Sequence, residues 1–142
     1  MDVGTLDQLL AGRVPASPVQ FQAGSYLFHE GEPADRLFLV HRGRVALELL
    51  VPQLGPVIVD TVQAGELLGV SWLFPPYRWQ FDAHAVKPVD AFAFRGGAVR
   101  EACEQDPLFG YQLMQRIGAV MQHRLQSARV RLLDLYGHAS AG

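Results

Sequence analysis

Between residues 19 and 62 the chain never runs far without a turn residue, and no other feature of the sequence narrows the fold so much. The apolar runs are short: Tyr26-Leu27-Phe28, Leu37-Phe38-Leu39-Val40, Val45-Ala46-Leu47-Glu48-Leu49-Leu50 and the β-branched Val57-Ile58-Val59-Asp60-Thr61-Val62. Between them stand Glu30-Gly31-Glu32-Pro33-Ala34-Asp35, Arg42-Gly43-Arg44 and Pro52-Gln53-Leu54-Gly55-Pro56, in which Gly31 and Gly43 read as turn residues at positive φ. Runs of this length, so bounded, are strands with no room for helices between them. Ala83-His84-Ala85-Val86 and Asp90-Ala91-Phe92-Ala93-Phe94 add two more around Lys87-Pro88-Val89. About six to eight closely spaced strands predict a mainly β protein with flanking helices, an antiparallel β jelly roll rather than a βαβ fold.

The flanks are helical. Residues 5–10 read as a short helix with Thr5 as N-cap, ended by Gly12, Pro15 and Pro18. From Gly97 the apolar period changes, predicting a helix over 98–104, a break at Asp106-Pro107 and a long helix over 108–135. Along the long helix Gly118, Met121, Leu125, Ala128, Leu132 and Leu135 alternate spacings of three and four, as in an a/d seam. Leu113, Met114, Ile117 and Val120 form a second stripe on its first half. A helix of about 28 residues spans about 40 Å and overruns so small a roll. One stripe is therefore expected on the roll and the seam against the same helix of a second copy, in a homodimer. Arg124, Arg129 and Arg131 read as a solvated face. The expected organisation is one domain over 1–142: helix and lead-in 1–18, roll 19–96, helices 97–135 and tail 136–142.

With 142 residues, one core is the expectation. The composition is 49% hydrophobic with mean hydropathy +0.10, an apolar excess that suits burial against a partner subunit. A net charge of −2 and pI near 6.2 give no reason to expect nucleic-acid binding. The single cysteine, Cys103, excludes an intramolecular disulfide and reads as a small buried thiol on a helix. No signal-like N-terminus and no apolar run of membrane length is present, so a cytoplasmic location without membrane contact is expected.

One stretch, 65–85, departs from this pattern: two glycines, two acids, five aromatics and Pro75-Pro76 lie between strand-like runs. Gly65-Glu66-Leu67-Leu68-Gly69 reads as a short helical turn whose unpaired N–H groups favour an anion. Trp72, Phe74, Tyr77, Trp79 and Phe81 either line a pocket for a flat ligand or fill it.

The run Gly24-Ser25-Tyr26-Leu27-Phe28-His29-Glu30-Gly31-Glu32-Pro33-Ala34-Asp35, the later Gly65-Glu66-Leu67 and the final long helix together resemble the cyclic nucleotide-binding domain of the Crp/Fnr family and of cAMP-dependent kinase regulatory subunits. The resemblance covers about 19–135. It implies a phosphate-binding cassette in which backbone N–H groups and an arginine hold the cyclic phosphate and a glutamate takes the ribose hydroxyl. On that pattern Glu66 matches the glutamate, and Gly65, Leu67, Leu68 and Gly69 match the turn. Where cAMP binders carry arginine and serine or threonine, this chain has Phe81 and Asp82, followed by Ala83. A guanidinium supplies charge-assisted hydrogen bonds of about 1.5–3 kcal/mol each to a phosphate, whereas a carboxylate repels it. The expectation is thus a non-catalytic sensor or regulatory domain that does not hold cAMP in the usual manner, its ligand a cyclic nucleotide or another small molecule.

Other readings compete with this one. Arg78 could substitute for the lost arginine in a cAMP or cGMP binder, or lie on the surface in a cation–π contact with Tyr77 and Trp79. A structural dimer could present the long helix or the aromatics to a protein partner. A metal-dependent cupin-like enzyme needs a close pair of histidines, which His29, His41, His84, His123 and His138 do not offer, so no metal ligand is assigned. His84 reads as a strand histidine. Ser71 lacks a nucleophile motif, and no catalytic residue is assigned. The family's transcription factors carry a helix-turn-helix after the long helix, and these 142 residues leave no room for one, so no direct contact with nucleic acid is expected.

Overall fold

The computed structural model describes the backbone over residues 3–141 and side chains over 6–134. The order of elements is α1 (Val3–Leu10), β1 (Ala16–Phe21), β2 (Tyr26–Phe28), β3 (Arg36–Arg42), β4 (Arg44–Val51), β5 (Gly55–Gln63), β6 (Leu67–Leu68), a 3-10 turn (Ser71–Leu73), β7 (Asp82–Ala85), β8 (Val89–Arg95), α2 (Gly96–Gln105) and α3 (Pro107–Ala141). The strands form two four-stranded sheets, ordered β1-β8-β3-β6 and β2-β7-β4-β5, and every pairing is antiparallel. This is the expected jelly roll.

Alternation along the strands sorts the side chains into two cores. Phe38, Val40, Leu68, Ala91 and Ala93 from the first sheet meet Leu27, Phe28, Val45, Leu47, Ala83 and Ala85 from the second, inside the roll. Leu37, Leu39, Leu67 and Phe94 point out of the first sheet and are covered by Leu6, Leu10, Val99, Phe109, Leu113 and Ile117 of the helices. β3 is therefore buried on both faces, which is why its sequence is an unbroken apolar run.

The boundaries move where local chemistry overrides pattern. The first helix begins at Val3, two residues before the expected cap; the Thr5 side chain lies outside the described residues. Pro18, read as part of a helix-ending lead-in, sits inside β1, which tolerates a missing N–H because it is a sheet edge. Gly43 at φ 105° closes the β3–β4 turn, and a Cβ there would stand 2.2 Å from the Pro88 carbonyl oxygen. No other residue fits.

On α3 one apolar stripe is covered by the roll and the other is not. Leu113 and Ile117 are buried against the roll, while Met121, Leu125 and Leu132 are exposed, as are Gly118 and Ala128. The Leu135 side chain lies outside the described residues. Cys103 on α2 is half-buried where the two helices touch: a Cβ on Gly110 would lie 3.1 Å from the Cys103 Cβ. Burial, then Glu104, push its thiol above the ordinary value.

Candidate functional site

The stretch 65–85 is built differently from its expected form. Gly65-Glu66-Leu67-Leu68-Gly69 is not a helical turn: Leu67–Leu68 is the strand β6, paired with Phe38 and Leu39 of β3. The competing force is the apolar pair itself, which gains more by sending Leu67 to the helical core and Leu68 to the roll interior than by winding. Glu66 closes the preceding turn, its Oε1 accepting from the Gln63 N–H at 2.8 Å. The helical turn comes one glycine later, at Ser71–Leu73, after Gly69 at φ 94° and with Val70 at its N-cap. A valine, without a carboxylate, stands at its entrance.

The aromatics of the stretch divide. Trp72 is fully buried on the helical side, and its indole N–H donates to the Gly69 carbonyl at 2.8 Å. Trp79 is buried inside the roll, stacked on Phe28 with ring centroids 3.7 Å apart and 8° between planes. It lies so close over Gly69 that a Cβ there would approach its ring to 2.6 Å. Phe81 is half-buried against the same core, tilted on Phe28 at 6.3 Å. Tyr77, at φ 57°, and Phe74 face outward.

Two expectations about arginines are corrected here. The cation over Tyr77 is Arg100, 4.3 Å from the ring centroid, anchored by a hydrogen bond to the Trp72 carbonyl. Arg78 is exposed and donates to the Gly31 carbonyl at 3.3 Å, because the strand-like segment around it pairs with Glu32 and Pro33. The other correction is Arg124, read as solvated. Its side chain is only 17% exposed, the guanidinium donating to the Leu67 carbonyl at 2.6 Å and lying 3.5 Å from Asp60 on β5. Burial pushes it below its ordinary value, a shift that the Asp60 and Glu66 carboxylates oppose.

Asp82 sits on the outer face of the second sheet, not in the interior. Its Oδ1 accepts the Glu30 N–H at 2.7 Å and lies 3.4 Å from His29 Nδ1. Alternation explains the placement, since Ala83 and Ala85 take the inward positions of β7. Beside it the Tyr26 ring is sandwiched between His29 and His84 at 4.6 and 4.7 Å. The Tyr26 hydroxyl donates to the buried Glu48, which also stands 3.5 Å from His84. Partial burial and that bond push the phenol above its ordinary value. Among the described residues no group of three or more His, Cys, Asp or Glu side chains is arranged to hold a metal ion.

A cleft of about 370 Å³ opens between α3 and the β5–β6 turn, lined by Asp60, Thr61, Glu66, Arg116, His123 and Arg124 over an apolar floor. Of these only Glu66 was singled out in the sequence as a binding residue. The recoverable signal was spacing: Arg116, Val120, His123 and Arg124 fall three or four apart on one helix face.

A two-sheet antiparallel roll closed by a long C-terminal helix, with a short helical turn between β6 and β7, is the architecture on which the comparisons converge. The chain belongs to the cyclic nucleotide-binding domain family, whose model matches residues 18–106, more than half of it. Its relatives make it a domain of the Crp/Fnr type. It is 27% identical over 118 residues to a CRP-like cAMP-activated global transcriptional regulator of Mycobacterium tuberculosis, covering 83% of this chain and 51% of that one. It is also 33% identical to a cyclic nucleotide-binding protein of Geobacter metallireducens with a solved structure, at a TM-score of 0.68 over 78% of this chain and 79% of that one. The c-di-GMP-responsive regulator CLP of Xanthomonas campestris, 15% identical, shares the fold with a TM-score of 0.80 over 95% of this chain and 65% of that one. The chain spans about half the length of the curated relatives it matches. No described helix is long and apolar enough to cross a membrane.

Proposed function

We propose that this chain is a non-catalytic regulatory domain that has departed from the usual mode of holding cAMP. One observation carries the reading: the interior position that would take a cyclic phosphate holds aromatic rings and no cation. Phe81 faces the roll core and Trp79 fills the space above Gly69, while Asp82 is turned outward and bonded to the Glu30 N–H. A phosphate brought there would lose water without gaining a charged donor. Arg78 cannot supply one while its segment pairs with Glu32 and Pro33.

Titration calorimetry with cAMP and cGMP tests this. We expect no saturable heat up to several hundred micromolar for either; micromolar or tighter binding would overturn the reading.

The exposed seam of α3 favours a second element of the proposal, a homodimer through that helix. Met121, Leu125 and Leu132 are 43%, 62% and 54% exposed along one stripe, an apolar surface whose burial would stabilise association. In this reading the domain works in the cytoplasm, carries its signal through the paired helices to a protein partner, and makes no direct contact with nucleic acid.

A further inference from the structure

Where β3 begins and β8 ends, the antiparallel register sets Arg36 directly opposite Arg95. Side chains so placed share one face of the sheet with their Cβ atoms about 5 Å apart, and like charges in that position repel. Arg100 of α2 joins them: all three arginines, with Tyr77 and the chain around Pro33, line a cavity of about 400 Å³. We propose that this cavity binds a small multivalent oxyanion, a compact polyphosphate or polycarboxylate. The inference goes beyond the reading of the roll interior and does not depend on it, and the cavity shares no lining residue with the cleft beside Glu66.

The charges select an anion. Asp35 is the one carboxylate among the lining residues, and it is itself 76% exposed, with Oδ1 3.8 Å from Arg36 Nε. The first turn of α2 adds no acidic residue. Arg100 donates to the Trp72 carbonyl and lies over the Tyr77 ring, and Arg36 lies 5.0 Å from the Phe38 ring centroid. Neither a carbonyl nor a ring cancels a full charge. Arg95 is exposed and has no hydrogen-bond, ion-pair or ring partner among the described residues. Three guanidinium groups against one carboxylate leave two positive charges unmatched around one concavity. For the folded chain alone, Arg95 opposite Arg36 is a cost without a compensating contact. An anion with several oxygens removes the repulsion, because each guanidinium fork matches phosphate or carboxylate oxygens two at a time. A monovalent anion leaves part of the excess unmatched, and a cation is repelled.

The frame beneath these charges is fixed by backbone bonds. The Gly96 N–H donates to the Asp35 carbonyl at 2.8 Å, which ties the start of α2 to the start of β3. The Ala34 N–H donates to the Tyr77 carbonyl at 2.8 Å, which holds the segment after Pro75-Pro76 at the same place. Gly97 leaves the space beside Arg100 clear, since a Cβ there would stand 3.6 Å from its Nη2. A site held in this way binds without first ordering its backbone.

The test is titration calorimetry and thermal melting of the intact chain at low ionic strength with pyrophosphate, citrate and acetate, on the wild type, Arg95→Gln and Arg42→Gln. Arg42 is the control: it is 77% exposed at the other end of β3, so its replacement changes the net charge equally but away from the cavity. Without added anion, Arg95→Gln should melt above the wild type, because it removes the repulsion from Arg36. Pyrophosphate or citrate should bind the wild type saturably and raise its melting temperature, while acetate at equal ionic strength does neither. Arg95→Gln should weaken that binding tenfold or more, so that at saturating anion the order of melting reverses, and Arg42→Gln should titrate as the wild type does. Tighter binding of pyrophosphate identifies a phosphate site and tighter binding of citrate a polycarboxylate site, and either supports the proposal. Absence of saturable binding by both anions, or binding that Arg95→Gln weakens no more than Arg42→Gln does, overturns it. So does an anion-free Arg95→Gln that melts below the wild type, which would give Arg95 a purely structural role.

Discussion

At Gly69 two constraints coincide in one residue. Its φ of 94° is a conformation that L side chains rarely adopt, and the Trp79 ring occupies the space where a Cβ would stand. Gly69→Ala therefore has to strain the backbone and displace a buried indole stacked on Phe28. We expect a loss of about 2–4 kcal/mol, read as a lower midpoint of urea unfolding with an unchanged slope. A loss under about 0.5 kcal/mol would show that Trp79 moves freely and that the roll interior can be vacated. The sequence carried only part of this. Gly69 was legible as a special position, and Phe81 and Asp82 were legible as replacements for a cation and a hydroxyl. What a linear pattern cannot express is the direction of each side chain: Asp82 belongs to an outward register, and Trp79 is folded back over a glycine ten residues earlier. Arg124 was misjudged for a related reason. A charged residue on a helix is usually solvated, and only the tertiary approach of Asp60 and the Leu67 carbonyl shows that this one is not.

Among the elements, strands were easier to read than their junctions. Short apolar runs and turn glycines located the long strands β3, β4, β5 and β8, whereas β1, hidden by Pro15 and Pro18, was missed and the two-residue β6 has no period to detect. The start of α3 is such a junction. Asp106 accepts the Phe109 N–H at 3.3 Å, Pro107 takes the first helical position, and Arg13 of the α1–β1 connection pairs with the Asp106 carboxylate while its guanidinium lies 4.7 Å from the Phe109 ring centroid. The hydrogen bond from Arg13, then that from Phe109, hold the Asp106 carboxyl below its ordinary value. A carboxyl depressed in the folded state contributes stability above its unfolded value of about 4, and that contribution disappears as pH falls through the lower folded value. Asp106→Asn should accordingly melt below the wild type at pH 7, and the gap should close as the pH falls below the ordinary carboxylate range. Because the pair is exposed, added salt should narrow the neutral-pH gap as well. A gap independent of pH would assign the effect to helix capping alone.

For the whole molecule the open matter is what covers α3. The helix runs over Pro107–Ala141; its apolar contact with the roll is made by its first turns through Phe109, Leu113 and Ile117, and farther on one edge touches the second sheet through Arg124 and Arg131. Beyond its first turns it carries Met121, Leu125 and Leu132 at spacings of four and seven, with Gly118 meeting no atom within 4 Å of where its Cβ would be. A lone helix gains little from exposing such a stripe, whereas two copies aligned side by side bury it, and the small residues Gly118 and Ala128 let the axes approach. Sedimentation equilibrium should therefore find a dimer at micromolar concentration. Leu125→Glu, which places like charges opposite each other in a two-fold seam, should raise the dissociation constant at least a hundredfold while leaving the roll folded. Leu133→Glu is the control, since that residue is 70% exposed and stands outside the seam. If both variants remain dimeric, the contact lies elsewhere, and the apolar hairpin tip with Leu50, Leu54 and Ile58, all more than half exposed, becomes the surface to mutate next. If the wild type is itself monomeric at high micromolar concentration, the seam awaits a different protein.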